Sequence, residues 1–128
     1  MRARFISVLL SIAAYAVWGA PSLAYHGAAA YTDEIITLQA TITDFRYVNP
    51  HVQLYFDIEN GAGQIEHWQG EMTAPNKLSR AGWSRSTLQI GDKLAIWGRA
   101  GRNGGKSVWV TALARDDGEQ LPTRESVD

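Results

Sequence analysis

The chain has 128 residues, of which 45% are hydrophobic and 20% are charged, with no cysteine and a formal net charge of −1. This composition is typical of one globular domain and excludes low-complexity, collagen-like, coiled-coil and disulfide-stapled chains. The weakly acidic balance also argues against nucleic acid as a partner, because protein–nucleic acid complexes gain most of their affinity by neutralising phosphates.

The start of the chain has the pattern of a signal peptide over residues 1–24. Arg2 and Arg4 precede an apolar run that is too short to anchor the chain in a bilayer. Small side chains after this run predict cleavage behind Ala24. We therefore expect an exported protein of the periplasm that keeps no membrane anchor after processing.

Three strands are predicted after an N-terminal arm at residues 25–33. Apolar and polar residues alternate over residues 34–45, 51–58 and 64–72, which is the period of a half-buried β-strand. Pro50 separates the first two strands, because proline cannot donate a hydrogen bond to a sheet. A glycine-rich hairpin loop connects the second strand to the third.

A short helix and two more strands complete the pattern. Residues 73–83 change period and contain an early proline and a late glycine, which predicts a helix of two turns or fewer. If Gly82 takes the left-handed conformation after this helix, Trp83 packs against Leu78. Strands four and five are predicted over residues 94–100 and 107–115.

This order of elements matches the OB-fold, a five-stranded Greek-key barrel, with one short helix between strands three and four. A closed barrel also explains why every strand alternates, because one face of each strand fills the interior. An open β-sandwich is the alternative. The barrel domain is predicted to span residues 34–115, and an acidic, flexible tail follows at residues 116–128.

Three short motifs carry a family resemblance. They are Asn49-Pro50-His51, then Pro75-Asn76-Lys77-Leu78-Ser79-Arg80-Ala81-Gly82-Trp83, then Gly91-Asp92. With these motifs the chain resembles small exported bacterial proteins that contain a domain of unknown function, over nearly its whole mature length. The mature start, Tyr25-His26-Gly27, keeps one of the two adjacent histidines common in that family. The resemblance implies no established activity.

The first and fourth loops between strands form a candidate ligand surface, because they flank the usual ligand face of an OB-fold. The candidate residues, which are basic, aromatic or amide-bearing, are Arg46, Tyr47, Asn49 and His51 from the first loop and Arg99 and Arg102 from the fourth. Tyrosine can stack on a ligand, and arginine can hold a carboxylate through two hydrogen bonds. This rim predicts a non-enzymatic binding or accessory module, with a small anionic ligand or a periplasmic protein as its partner.

A metal site at the mature N-terminus is an alternative function. Cleavage at the predicted site would leave a free amine on Tyr25 next to the imidazole of His26, and these nitrogen donors suit Cu(II) or Ni(II). His51 could supply a third ligand if the N-terminus folds back over the first loop. His67 cannot share an ion with His51, because the strand spacing puts the two imidazoles roughly 20 Å apart. The hairpin between the second and third strands instead predicts that His67 pairs with Asp57.

A protein-docking domain and an enzyme are the remaining classes. Trp97 and Trp109 would favour a binding surface if both indoles point outward from strands four and five. The sequence contains no Gly-x-Ser-x-Gly elbow, His-Glu-x-x-His helix or phosphate loop. We therefore expect no enzymatic activity and, apart from the copper or nickel alternative, no cofactor.

Overall fold

The computed structural model of the chain describes residues 28–123. The predicted signal peptide, Tyr25, His26 and residues 124–128 of the predicted tail lie outside the described residues. Between residues 28 and 123, no helix is long and apolar enough to cross a membrane.

Six strands and one α-helix make up the described part of the chain. They are β1 (Tyr31–Arg46), β2 (Gln53–Glu59), β3 (Ile65–Glu71), α1 (Pro75–Arg80), β4 (Lys93–Gly101), β5 (Ser107–Arg115) and β6 (Gln120–Leu121). Short 3-10 turns lie before β1 at Ala28–Ala30 and after β4 at Arg102–Gly104. The five predicted strands and the predicted helix are present. Because β1 begins at Tyr31 and not at residue 34, the end of the predicted N-terminal arm belongs to the sheet.

Five of these strands close into a barrel in the order β1-β2-β3-β5-β4. Neighbouring strands are antiparallel except β3 and β5, which run parallel and pair Glu71 with Trp109. The ring closes because β1 is long enough to pair with β4 over most of its length and with β2 near its end. The predicted OB-like Greek-key barrel is confirmed, and the alternative of an open β-sandwich is wrong.

Apolar residues at alternate strand positions fill the barrel, as the periodicity predicts. Leu54, Phe56 and Ile96 are fully buried in this core. Between Trp97 and Gly98 the register with β5 shifts by one residue, because Thr111 is the extra residue of a bulge in β5. A Cβ atom at Gly98 would collide with the carbonyl oxygen of Trp109, so this position leaves no room for a side chain.

The turn after α1 fixes the large aromatic residue that follows it. Gly82 has a φ of 96°, its N–H donates to Ser79 O, and the Trp83 N–H donates to Leu78 O at 3.1 Å. These two bonds form a Schellman motif. The expected approach of Trp83 to Leu78 is confirmed, and both side chains are buried in the core.

The prediction of a flexible tail from residue 116 is wrong for residues 116–123. β6 pairs with β5, and Leu121 is only 7% exposed. Trp83 Nε1 donates to the carbonyl oxygen of Pro122 at 2.6 Å, and Thr123 Oγ1 donates to the carbonyl oxygen of Thr111 at 2.7 Å. Sequence periodicity missed this segment because a strand of two residues has no period.

Candidate functional site

Strand register brings four side chains together near one end of the barrel. Tyr31 pairs with Gly101 at the end of β4, while Glu71 at the end of β3 pairs with Trp109 on β5. His51 lies just before β2, whose first residue also pairs with Glu71. We call Tyr31, His51, Glu71 and Trp109 the rim cluster.

Glu71 is the centre of the rim cluster. Its Oε2 accepts a hydrogen bond from the Tyr31 hydroxyl at 2.7 Å, and its Oε1 lies 2.6 Å from His51 Nδ1. The side chain of Glu71 is only 11% exposed. Burying a carboxylate is costly unless donors replace its lost water, and here each oxygen has one donor. The arrangement therefore holds the carboxylate and the imidazole in fixed orientations.

The bond to Glu71 also fixes which ring nitrogen of His51 carries hydrogen. An ionised carboxylate can only accept hydrogen bonds, so Nδ1 must be the donor. In the neutral imidazole, the lone pair is then on Nε2. No second hydrogen bond is made by this ring to the residues that the structure describes.

Trp109 packs the cluster from the β5 side. Its ring centroid lies 5.3 Å from that of His51, with the two planes almost perpendicular at 86°, and 5.9 Å from that of Tyr31. Edge-to-face contacts of this kind are favourable between aromatic rings. Trp109 therefore limits the movement of both donors to Glu71.

The electrostatics of the cluster keep Tyr31 protonated. Burial raises the pKa of Tyr31 well above its ordinary value of 10.0, and the hydrogen bond to Glu71 and the charge of Glu71 raise it further. The phenol is consequently a permanent donor at any physiological pH.

A cavity of about 330 Å³ opens beside the cluster. Its lining residues come from the turn before β1 and from β1, β2, β3 and β5: Ala30, Tyr31, Gln53, Gln69, Glu71 and Ser107. Amide, hydroxyl and carboxylate groups can all form hydrogen bonds with a polar ligand. The cavity thus places several such groups next to the fixed carboxylate.

The first loop contributes one of its four predicted residues to the rim cluster and none to the lining of this cavity. His51 joins the rim cluster, whereas the Tyr47 hydroxyl donates to Pro75 O at 2.8 Å and lies 2.7 Å from Ser79 Oγ, so this residue fastens α1 to the barrel. Arg46 bonds Asp44 at 2.9 Å and stacks over another tyrosine of the outer wall. Asn49 is exposed and precedes a cis proline. Of these four predicted residues, the structure brings only His51 into the cluster.

The two arginines of the fourth loop flank the cluster from the other side. Arg99 on β4 pairs across the sheet with Trp109. Arg102 donates from Nε to the carbonyl oxygen of Ala29 at 2.7 Å, which ties the fourth loop to the residues that lead into β1. Both predicted residues therefore border the cluster, although they form no part of its hydrogen-bond network.

Two central residues of the cluster were missed by sequence reasoning. Tyr31 fell in the predicted N-terminal arm, and Glu71 occupied an outward position of a strand, where a charged residue is ordinary. The only sequence signal was the nearby His51, because the other contacts join residues that are 20 and 40 positions apart.

His67 and Asp57 pair as predicted. They lie directly opposite each other on β3 and β2, with His67 Nδ1 2.5 Å from Asp57 Oδ1. The side chain of His67 is 85% exposed, against 31% for His51. Among residues 28–123, no group of three or more histidine or carboxylate side chains is arranged to hold a metal ion.

Comparisons with known proteins bear on family and fold. The model of a protein family described as a family of unknown function, DUF6152, matches residues 13–109. No curated protein matches the chain. A small single-stranded DNA-binding protein from Streptomyces coelicolor is similar in structure, with a TM-score of 0.45 and 15% identity over 65% of this chain and 94% of that one. We therefore withdraw the expectation that nucleic acid is not a partner.

Proposed function

The chain belongs to the family of unknown function DUF6152, and we propose that it is an exported, non-enzymatic binding module. Its ligand surface is the end of the barrel where the β1–β2 and β4–β5 loops meet the start of β1. The rim cluster and the adjoining cavity form the centre of this surface. The observation that carries the proposal is the buried Glu71 carboxylate, which holds Tyr31 and His51 at once.

Stability alone gives no reason for such a cluster. Buried polar and ionic networks can often be replaced by apolar residues without loss of stability. The cluster instead offers a prearranged carboxylate acceptor and an aromatic surface beside an open cavity. Prearranged groups lose little conformational freedom when a ligand binds, which favours recognition.

The same geometry supports binding over catalysis. A histidine held by a carboxylate could activate a nucleophile if a hydroxyl lay within hydrogen-bond reach of its other nitrogen. In the described part of the chain, His51 has no such hydroxyl as a partner. Export is supported by the pattern of residues 1–24 and by the lack of cysteine, which leaves no thiol exposed to oxidation.

The test is hydrogen–deuterium exchange on the full chain as its host processes it. The probe is the low-molecular-weight fraction of a periplasmic extract, used before and after treatment with a chelating resin. We expect slower exchange in the segments that contain Tyr31, His51 and Glu71. His51→Ala should abolish this protection, and His67→Ala is the matched control that should retain it.

Four results would contradict the proposal. Unchanged exchange around the cluster would remove the ligand surface, and protection confined to the β2–β3 hairpin would move it to the opposite end of the barrel. A component of the extract that is converted in molar excess over the protein would show catalysis. Retention of residues 1–24 on the isolated chain would refute export by a cleaved leader.

A further inference from the structure

We propose that the ligand of the rim cluster is a neutral oligosaccharide, whose vicinal hydroxyl groups pair with the Glu71 carboxylate and whose other hydroxyl groups bind the amides that line the cavity. This inference rests on the proposed function and names the ligand class of the same site. It is drawn from the hydrogen-bonding groups that the cavity leaves available and from the charges around them.

Glu71 keeps acceptor sites for a ligand. An ionised carboxylate offers about four lone-pair sites on its two oxygens. The Tyr31 hydroxyl occupies one site on Oε2 and His51 Nδ1 occupies one on Oε1, so each oxygen retains another site. Glu71 also lines the cavity. A ligand that fills both remaining sites presents two donors side by side, which is the arrangement of a vicinal diol.

The other polar groups of the cavity need acceptors as well as donors. Gln53 Oε1 accepts a hydrogen bond from the Tyr55 hydroxyl at 2.9 Å, whereas the NH₂ of Gln53 has no partner among the residues that the structure describes. Gln69 and Ser107 also line the cavity, and neither side chain forms a hydrogen bond within residues 28–123. Amides and hydroxyls both donate and accept. The cavity is thus complementary to a ligand that is dense in groups of both kinds.

The charges of the site favour a neutral ligand. Of the described residues that line the cavity, only Glu71 is charged, so an anionic group would be placed against a carboxylate. An ammonium or guanidinium ion could pair with Glu71, but such ions have donors only. The NH₂ of Gln53 would then face a ligand without acceptors. Hydroxyl groups satisfy the carboxylate and the amide together.

The site continues beyond the cavity along the outer wall of the barrel. Strand register places five residues in one row across β1, β2, β3, β5 and β4: Arg46, Gln53, Glu71, Trp109 and Arg99. Because neighbouring strands lie about 4.8 Å apart, this row extends over about 19 Å of the wall. Trp109 and Tyr31 add aromatic surface on which the C–H face of a sugar ring can pack. A chain of sugar units therefore fits the site better than a single unit.

The experiment repeats hydrogen–deuterium exchange on the processed full chain with chemically treated samples of the same low-molecular-weight extract. Extract that has passed through anion-exchange and cation-exchange resins should still slow exchange around Tyr31, His51 and Glu71, because the ligand is neutral. Periodate cleaves vicinal diols, so oxidation of the extract should abolish the protection. Periodate that is quenched before it is added is the control. Ligand eluted from the chain should release monosaccharides on acid hydrolysis.

Two substitutions test the lining of the cavity. Gln69→Leu removes an amide at similar size, and Ser107→Ala removes one hydroxyl. Each should raise the amount of extract needed for half-maximal protection about tenfold, because hydroxyl groups of the ligand lose a partner. Gln39→Leu is the matched control and should leave this amount unchanged, since Gln39 lines a separate cavity beside the β2–β3 hairpin. If Gln69→Leu does not fold by circular dichroism, Ser107→Ala decides.

Protection that survives periodate, or that either resin removes, would overturn the inference and leave the binding module with a ligand of another class. A peptide would give the first result, and a nucleic acid fragment would give the second. A nucleobase in the eluted ligand, or lining variants that behave like Gln39→Leu, would overturn it equally. If the untreated extract gives no protection, the proposed function fails as well.

Discussion

Replacing Tyr31 with phenylalanine measures how much the buried carboxylate depends on its phenol donor. The Tyr31 hydroxyl donates to Glu71 at 2.7 Å, and the residue is 6% exposed. Phenylalanine keeps the ring contact with Trp109, so the substitution removes the hydrogen bond and little packing. A hydrogen bond to a charged group contributes about 1.5–3 kcal/mol. Because Glu71 keeps His51 as its second donor, we expect the free energy of unfolding at neutral pH to fall by about 2 kcal/mol.

Chemical denaturation followed by far-ultraviolet circular dichroism gives this free energy by linear extrapolation. Tyr55→Phe is the matched control, because its hydroxyl donates at 2.9 Å to a neutral and partly exposed Gln53. We expect that control to cost about 0.5 kcal/mol. A double-mutant cycle of Tyr31→Phe with Glu71→Met should give a coupling energy of about 1–2 kcal/mol. The reasoning is refuted if Tyr31→Phe costs no more than Tyr55→Phe, or if the coupling is zero.

Three further predictions concern pH and packing. Because the pKa of Tyr31 is raised in the folded state, the folded chain holds this proton more tightly than the unfolded chain, so the stabilisation from the phenol is complete below pH 10.0 and is lost as the pH rises above it. Chemical denaturation in alkaline buffers should show that the free energy of unfolding falls more steeply with pH in wild type than in Tyr31→Phe. Equal slopes for the two proteins would contradict this prediction. Gly98→Ala should cost about 3 kcal/mol, because the new Cβ meets the backbone of Trp109. In Gly61→Ala, its control, the new Cβ has nothing within 4 Å, so thermal denaturation should show a change below about 0.5 kcal/mol. Leu121→Ala should cost about 2–3 kcal/mol, and an unchanged melting temperature would show that β6 adds no stability.

The barrel was predictable because its signals are local. Leu54 and Phe56 alternate with polar neighbours within one strand, and Gly82 follows the helix at the position that a Schellman motif requires. The order of these strands and the helix along the chain then allows only a few arrangements of the strands in a sheet. β6 lacked any such signal, since the burial of Leu121 results from contacts with β5 and not from a pattern within its own segment.

The rim cluster could not be predicted in the same way because it forms a second layer outside the barrel wall. Along β3, the inward positions are occupied by Gly70 and its alternate neighbours, so Glu71 points outward and local periodicity predicts an exposed side chain. It is nevertheless 8% exposed, because Tyr31 and His51 cover it after the ring has closed. Such a layer adds little to the apolar core. Substitutions in it should therefore change ligand binding while the barrel stays folded, whereas truncation at an inward position such as Leu54 should act mainly by lowering the free energy of unfolding.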